Sequence, residues 1–242
     1  TEKFHAQMVF CDCAKVNQQN VETVLKDANS ERPQWQIADG AEAERWFHID
    51  YRIELSGVSG MISRDCIGTL RFDENLVNGE DTLFKYHLFC GQVRTAYSPC
   101  QWYYYRMHEN SVSHSKETLI GESYCESSMR IRDSEHRKGR FEYALKWETA
   151  AVIQLREKYE VCRTAKDKAR GEMLKEAAFR ERKHPLFQAL NPVQKILFRL
   201  CFKCYPVYLP LRKIVSLIWE SAEAHRKRTV LKAMASGTES RQ

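Results

Sequence analysis

The sequence predicts an α+β chain, with an N-terminal antiparallel β-sandwich over residues 1–145 followed by a helical C-terminal region over residues 146–242. Three observations lead there. Short apolar runs divided by turn residues fill the first part, and near Glu142 the hydrophobic period changes from two to steps of three and four. Charge changes sign at the same place. Residues 1–145 carry 17 Lys+Arg against 22 Asp+Glu, a net of −5; residues 146–242 carry 21 against 10, a net of +11, and the sum is the +6 of the whole chain.

Taken in order, Phe4 to Cys13 alternates apolar and polar residues and predicts a first strand. Residues 17–28 read as a loop or a short helix, and Trp35 to Ile37 as a short strand. Trp46 to Ser56 places Phe47, Ile49, Tyr51, Ile53 and Leu55 on one face and predicts a longer strand. Ile67 to Phe72, Leu83 to Cys90 and Trp102 to His108 follow as strands, with Gly91, Ser98 and Pro99 between the last two as a hairpin connection. Met129, Ile131 and Phe141 to Leu145 complete the sandwich. Then Tyr143, Trp147, Ala150, Ala151, Leu155 and Tyr159 recur at helical spacing through Ala177, until His184-Pro185 stops the pattern. Asn191 and Pro192 suit the cap and first position of another helix, which Pro206 and Pro210 interrupt.

Several classes are excluded or left without support. The most apolar stretch, Ile196 to Trp219, is broken by Arg199, Lys203, Pro206, Pro210, Arg212 and Lys213, so it is no ordinary membrane span. Nine scattered cysteines point to reduced thiols and a cytoplasmic setting. Cys11 with Cys13 and Cys201 with Cys204 are close pairs, yet neither has the further ligands a zinc site needs, so no metal and no cofactor is expected. The sequence contains no Gly-rich phosphate loop, nucleophile elbow or H-E-x-x-H motif, which leaves an enzyme only as a dispersed site. His108, His114 and His136, near Glu109 and Glu122, are the acid–base candidates, and solvated loop residues are the competing reading. The chain opens on Thr1 rather than Met, and the reading takes it as a segment of a larger protein.

Two features are candidate binding elements. In Trp102-Tyr-Tyr-Tyr105 a strand puts Trp102 and Tyr104 on one face, where flat rings can fill a core or stack on a ligand. The basic runs supply Arg180, Arg182 and Lys183, then Arg226, Lys227 and Arg228, able to neutralise phosphates or simply solvate a helix. Ile196 to Trp219 is apolar enough to dock on protein or on a membrane surface.

The ordered series Phe4-His5-Ala6, Trp46 to Leu55, Gly68 to Phe72, Leu83-Phe-Lys-Tyr-His-Leu-Phe89, Trp102 to Arg106 and Glu117 to Ile120 resembles a starch-binding-type carbohydrate module. It looks most like the diverged form near the N-terminus of mysterin-type giant AAA+ RING-finger ubiquitin ligases. The resemblance covers about residues 4–135 and implies a sandwich, with Trp102, Tyr104 and Glu109 as candidate ligand-stacking and ligand-binding residues for a glycan. The sequence departs from the sugar-binding pattern at Met107 to Asn110, where the Asn-Arg turn is missing. The function expected is therefore a non-catalytic binding or scaffolding segment of a cytoplasmic protein, with partners docking on the C-terminal helices. The alternatives are a nucleic-acid-binding subunit and an enzyme with a dispersed site.

Overall fold

The computed structural model describes residues 5–16, 34–50, 60–106 and 125–218. By compactness the chain divides into a unit up to Leu190 and another from Asn191 onward.

In the first unit, β1 (Met8–Val16), β2 (Gln36–Ala38), β3 (Gly60–Ile62) and β4 (Thr95–Arg106) form one sheet in the order β2-β4-β1-β3. β1 runs parallel to β4, while β2 and β3 are antiparallel to their neighbours. The β1–β4 register shifts on either side of Asp12, opposite the segment holding Pro99. Pro99 is exposed there and has no N–H to offer, so the irregularity removes no ladder bond that proline could have made. At Gly60 a side chain would meet the Phe10 ring at 2.4 Å, so only glycine lets β3 lie against β1.

This small mixed sheet sits within a largely helical chain, which corrects the predicted antiparallel β-sandwich. Among the described residues the helices of the first unit are α1 (Gly40–Arg45), α2 (Arg64–Ile67), α3 (Glu80–Phe89), α4 (Glu126–Arg137), α5 (Phe141–Ala165), α6 (Lys168–Glu181) and α7 (Pro185–Ala189). Leu83 to Cys90, read as a strand, lies in α3 and at its C-cap. Leu83, Phe84, Lys85, Tyr86, Leu88 and Phe89 are all buried, so α3 is covered on most of its circumference and its sequence shows a run instead of a stripe. Trp46 begins a π-helical turn, Trp46–Asp50, instead of a strand, and residues 51–56 lie outside the described residues. Ile67 ends α2, with no strand after it up to Phe72, and Met129 and Ile131 belong to α4. α5 runs unbroken across residue 145.

The core forms where one face of the sheet meets α3, the π-turn and α5. Phe10 stacks on Phe89 at 6.0 Å, Phe89 on Phe47 at 5.1 Å, and Phe47 lies 5.7 Å from Trp147. Met8, Phe10, Phe47, Phe89 and Ile131 are each at most 1% exposed. Burial on this scale stabilises by about 1.5–3 kcal/mol per large side chain. On the opposite sheet face Ala6, Val9 and Ala96 pack with Trp35 and Ile37.

In the second unit, α8 (Pro192–Lys203) begins where Asn191 accepts the Gln194 N–H at 2.9 Å, with Pro192 in the first turn. Cys204 breaks the helix, and its carbonyl accepts from Val207 and Tyr208 to open α9, residues 205–218.

Candidate functional site

Three helices of the first unit bring charged side chains together inside it. Arg132 of α4 donates through one guanidinium nitrogen to Glu148 of α5, at 2.8 Å, and to Glu181 of α6, and through Nε to Asp133 at 2.7 Å. Glu148 and Glu181 are buried, and so is Arg132. His184 follows α6 as the cap of α7, its Nδ1 accepting the Leu186 N–H at 3.3 Å. That nitrogen lies 3.8 Å from Glu148, Nε2 lies 3.7 Å from Asp133, and the His136 ring is 6.1 Å away.

One guanidinium between two buried carboxylates leaves a surplus negative charge. Burial, then the nearby Glu181 charge, pushes the Glu148 carboxyl up to about 8 against the opposing pull of Arg132. The buried Oε1 of Glu148 receives no donor among the described residues. Burial works against charge on Arg132 as well, but Asp133, Glu181 and Glu148 outweigh it and keep the guanidinium protonated. Burial, followed by Arg132, holds the His184 imidazole below its ordinary range. Glu148, Glu181 and His184 are also a group able to hold a metal ion, their ligand atoms lying within 4.8 Å of one another. Arg132 already bonds both carboxylates, and the His184 Nδ1 lone pair already takes a backbone N–H. The guanidinium therefore stands where a cation would have to enter.

A second network joins α3, α4 and the turn before α5. Tyr86 donates to Glu135 at 2.6 Å, Lys138 donates to Tyr86 at 2.8 Å and to Cys90 at 3.3 Å, and Arg140 bridges Glu135 and Glu44. Burial disfavours the Glu135 charge, but Arg140, Tyr86 and Lys138 together hold its carboxyl below the usual range. Burial and the Glu135 contact push the Tyr86 phenol up to about 12. Beside it, His48 accepts the Trp147 indole N–H at 2.7 Å and stacks on Tyr143 at 4.3 Å. Burial drives the His48 imidazole down to about 4, so it is neutral and its remaining proton sits on Nε2.

An open groove of about 650 Å³ between α2 and the end of α3 includes Cys66, Arg71 and His87 in its wall. Arg71 is bonded to the Gly68 and Leu70 carbonyls, and burial raises the Cys66 thiol, which makes it a poorer nucleophile.

The residues singled out in the sequence do not converge. Trp102 is 41% exposed and lies 5.3 Å from Trp35, Tyr104 is half-buried on the same strand, and Glu109 lies outside the described residues. Arg180 and Lys183 are exposed, the latter over the Phe179 ring at 4.6 Å, and Arg182 is half-buried. Arg226, Lys227 and Arg228 lie outside the described residues, as do His108, His114 and Glu122; His136 is exposed beside His184. Cys201 is buried and Cys204 exposed, so the two thiols face different surroundings, and none of the nine cysteines is in a disulfide. The buried cluster escaped sequence reasoning because Arg132, Glu148 and Glu181 come from three helices. One signal was present: Glu148 interrupts the helical apolar series Ala144, Trp147, Ala151, Leu155, a charge on a face that should be dry.

The second unit differs in kind. Residues 191–218 include Lys195, Arg199, Lys203, Arg212 and Lys213 and not one Asp or Glu. Val193, Ile196, Val207, Ile214, Leu217 and Ile218 are exposed large apolar side chains. Among the described residues no helix is long and apolar enough to cross a membrane. No protein-family model matches the chain, and no curated protein is significantly similar to it.

Proposed function

We propose that the chain is a non-catalytic binding or scaffolding segment of a larger cytoplasmic protein, and that its contact surface lies on residues 191–218. The observation that carries this reading is the concentration of exposed aliphatic side chains on a stretch without an acidic residue. Exposed apolar side chains concentrated in one stretch mark an interaction site. The first unit favours the same reading from the other side. Its buried carboxylates face Arg132 or Arg140, and its groove lacks an activated nucleophile. Nine cysteines, none in a disulfide, favour a reducing compartment.

The test is the behaviour of the full chain in cell extract. The native chain should elute or sediment as part of a larger assembly, and Ile214→Ser with Leu217→Ser and Ile218→Ser should release it to the size of the free protein without unfolding it. A native chain already as free as the triple variant would overturn the reading.

A second reading has one observation in its favour. Exposed Trp102 lies against half-buried Trp35 on the sheet, and the Trp102 ring is a surface on which a sugar ring can stack. Retention on amylose that disappears in Trp102→Ala would support it, and no retention would dispose of it. The nucleic-acid alternative rests on Arg180 and Lys183 and on Arg226 to Arg228; branched aliphatics among the cations of residues 191–218 offer bases no flat face to stack on.

A further inference from the structure

Resting on the binding-segment reading, we infer that residues 191–218 dock on an anionic lipid surface, with α9 lying in the plane of the interface.

At 3.6 residues per turn, Val207, Pro210, Ile214, Leu217 and Ile218 fall on one side of α9, and each is exposed. Tyr208, Leu211 and Val215 lie on the adjoining side and are buried or half-buried. More than half of the circumference of α9 is therefore apolar, yet only part of that surface is covered. Lys213 stands at one margin of the exposed stripe, where a long side chain can lie along the apolar surface and raise its ammonium towards headgroups. The same division recurs on α8. Gln194, Leu197, Phe198 and Cys201 line its buried side, while Val193, Ile196, Arg199 and Lys203 are exposed on the other. Both helices thus present branched aliphatics and cations together.

Charge selects the partner. A protein docking face usually mixes both signs around its apolar centre, because complementary pairs fix register. Residues 191–218 have cations alone, and the exposed apolar groups among them are Val, Ile and Leu. A lipid surface makes no demand for register. It takes aliphatic side chains into its acyl boundary and Lys or Arg at its phosphates, whatever their exact spacing. The contact is interfacial: no described helix can span a bilayer.

The experiment is co-sedimentation of the full chain with phosphatidylcholine vesicles and with vesicles containing about one-third phosphatidylserine. Binding is expected on the anionic vesicles alone, weakened about tenfold between about 0.1 M and about 0.5 M salt as the surface charge is screened. Ile214→Ser with Leu217→Ser and Ile218→Ser should abolish it. Arg199→Gln with Lys203→Gln and Lys213→Gln should cut it at least tenfold. Circular dichroism must show both variants folded. No binding of the native chain to anionic vesicles, or equal binding to neutral ones, overturns the inference. The two readings separate cleanly. If vesicles fail while the extract assembly forms and is broken by the triple serine variant, the binding segment stands with a protein partner. If both fail, both fall.

Discussion

The two units of this chain treat charge in opposite ways. Up to Leu190, charged groups at buried positions are answered by other charged groups: Arg132 by Glu148 and Glu181, Glu135 by Arg140 and Lys138. From Asn191 to Ile218 five cations have no acidic residue in the same stretch, and they share the surface with uncovered aliphatics. The first arrangement holds three helices together. The second sets cations beside exposed aliphatics, a composition that suits contact with another surface.

The largest effect should come from breaking the buried cluster. Arg132→Leu leaves the buried Glu148–Glu181 carboxyl pair, which still carries negative charge, without its counter-charge, and should cost about 3–5 kcal/mol in urea unfolding. Replacing Arg132, Glu148 and Glu181 together by apolar residues of similar volume should recover most of that loss. An Arg132→Leu variant as stable as the native protein would mean that the cluster holds nothing.

Titration sharpens the comparison, since both strongly shifted groups with opposite preferences lie in the first unit. His48 is held neutral with its imidazole near 4, whereas in the unfolded chain it takes a proton near its ordinary 6.5. The unfolded state therefore binds more protons between these values, and stability falls as pH drops from about 6.5 to 4, by about 3 kcal/mol in all. In His48→Gln this slope should flatten. Glu148 works in the other direction. Its carboxyl is raised to about 8 from an ordinary 4.5, so the folded state holds the extra proton and stability falls as pH rises from 4.5 to 8. Glu148→Gln keeps an acceptor for Arg132, removes the charge and should abolish that decline. Denaturant midpoints measured across the pH range read both effects.

The smallest effect belongs to the second unit. Ile214→Ser, Leu217→Ser and Ile218→Ser act on side chains already in solvent, and each should change stability by no more than about 0.5 kcal/mol. A larger loss would show that the stripe is packed in solution, and the contrast between the units would disappear.

What was legible in the sequence follows the same physics. β1, β2 and the later part of β4 were readable where alternation or aromatic content met a half-covered sheet, but Ser98 and Pro99, read as a hairpin connection, lie within β4; α8 was readable from the Asn191-Pro192 start. α3 was hidden because a helix buried all round loses its period; the acidic first turn, Glu80 and Asp81, was the remaining clue. The parallel β1–β4 pairing joins residues 87 to 90 positions apart, and no local pattern encodes it. The buried cluster was invisible for the same reason, apart from Glu148 on a dry face. The character of residues 191–218 was legible directly, because it lies in composition: five cations, no acid within that stretch, and aliphatics interspersed with Pro192, Pro206 and Pro210.

The most direct measurement is amide hydrogen exchange of the full chain, alone and with anionic vesicles. The account predicts new protection confined to residues 193–218, with the amides around Arg132, Glu148 and Glu181 exchanging as slowly with vesicles as without. Protection centred on the first unit, or none at residues 193–218, would contradict it.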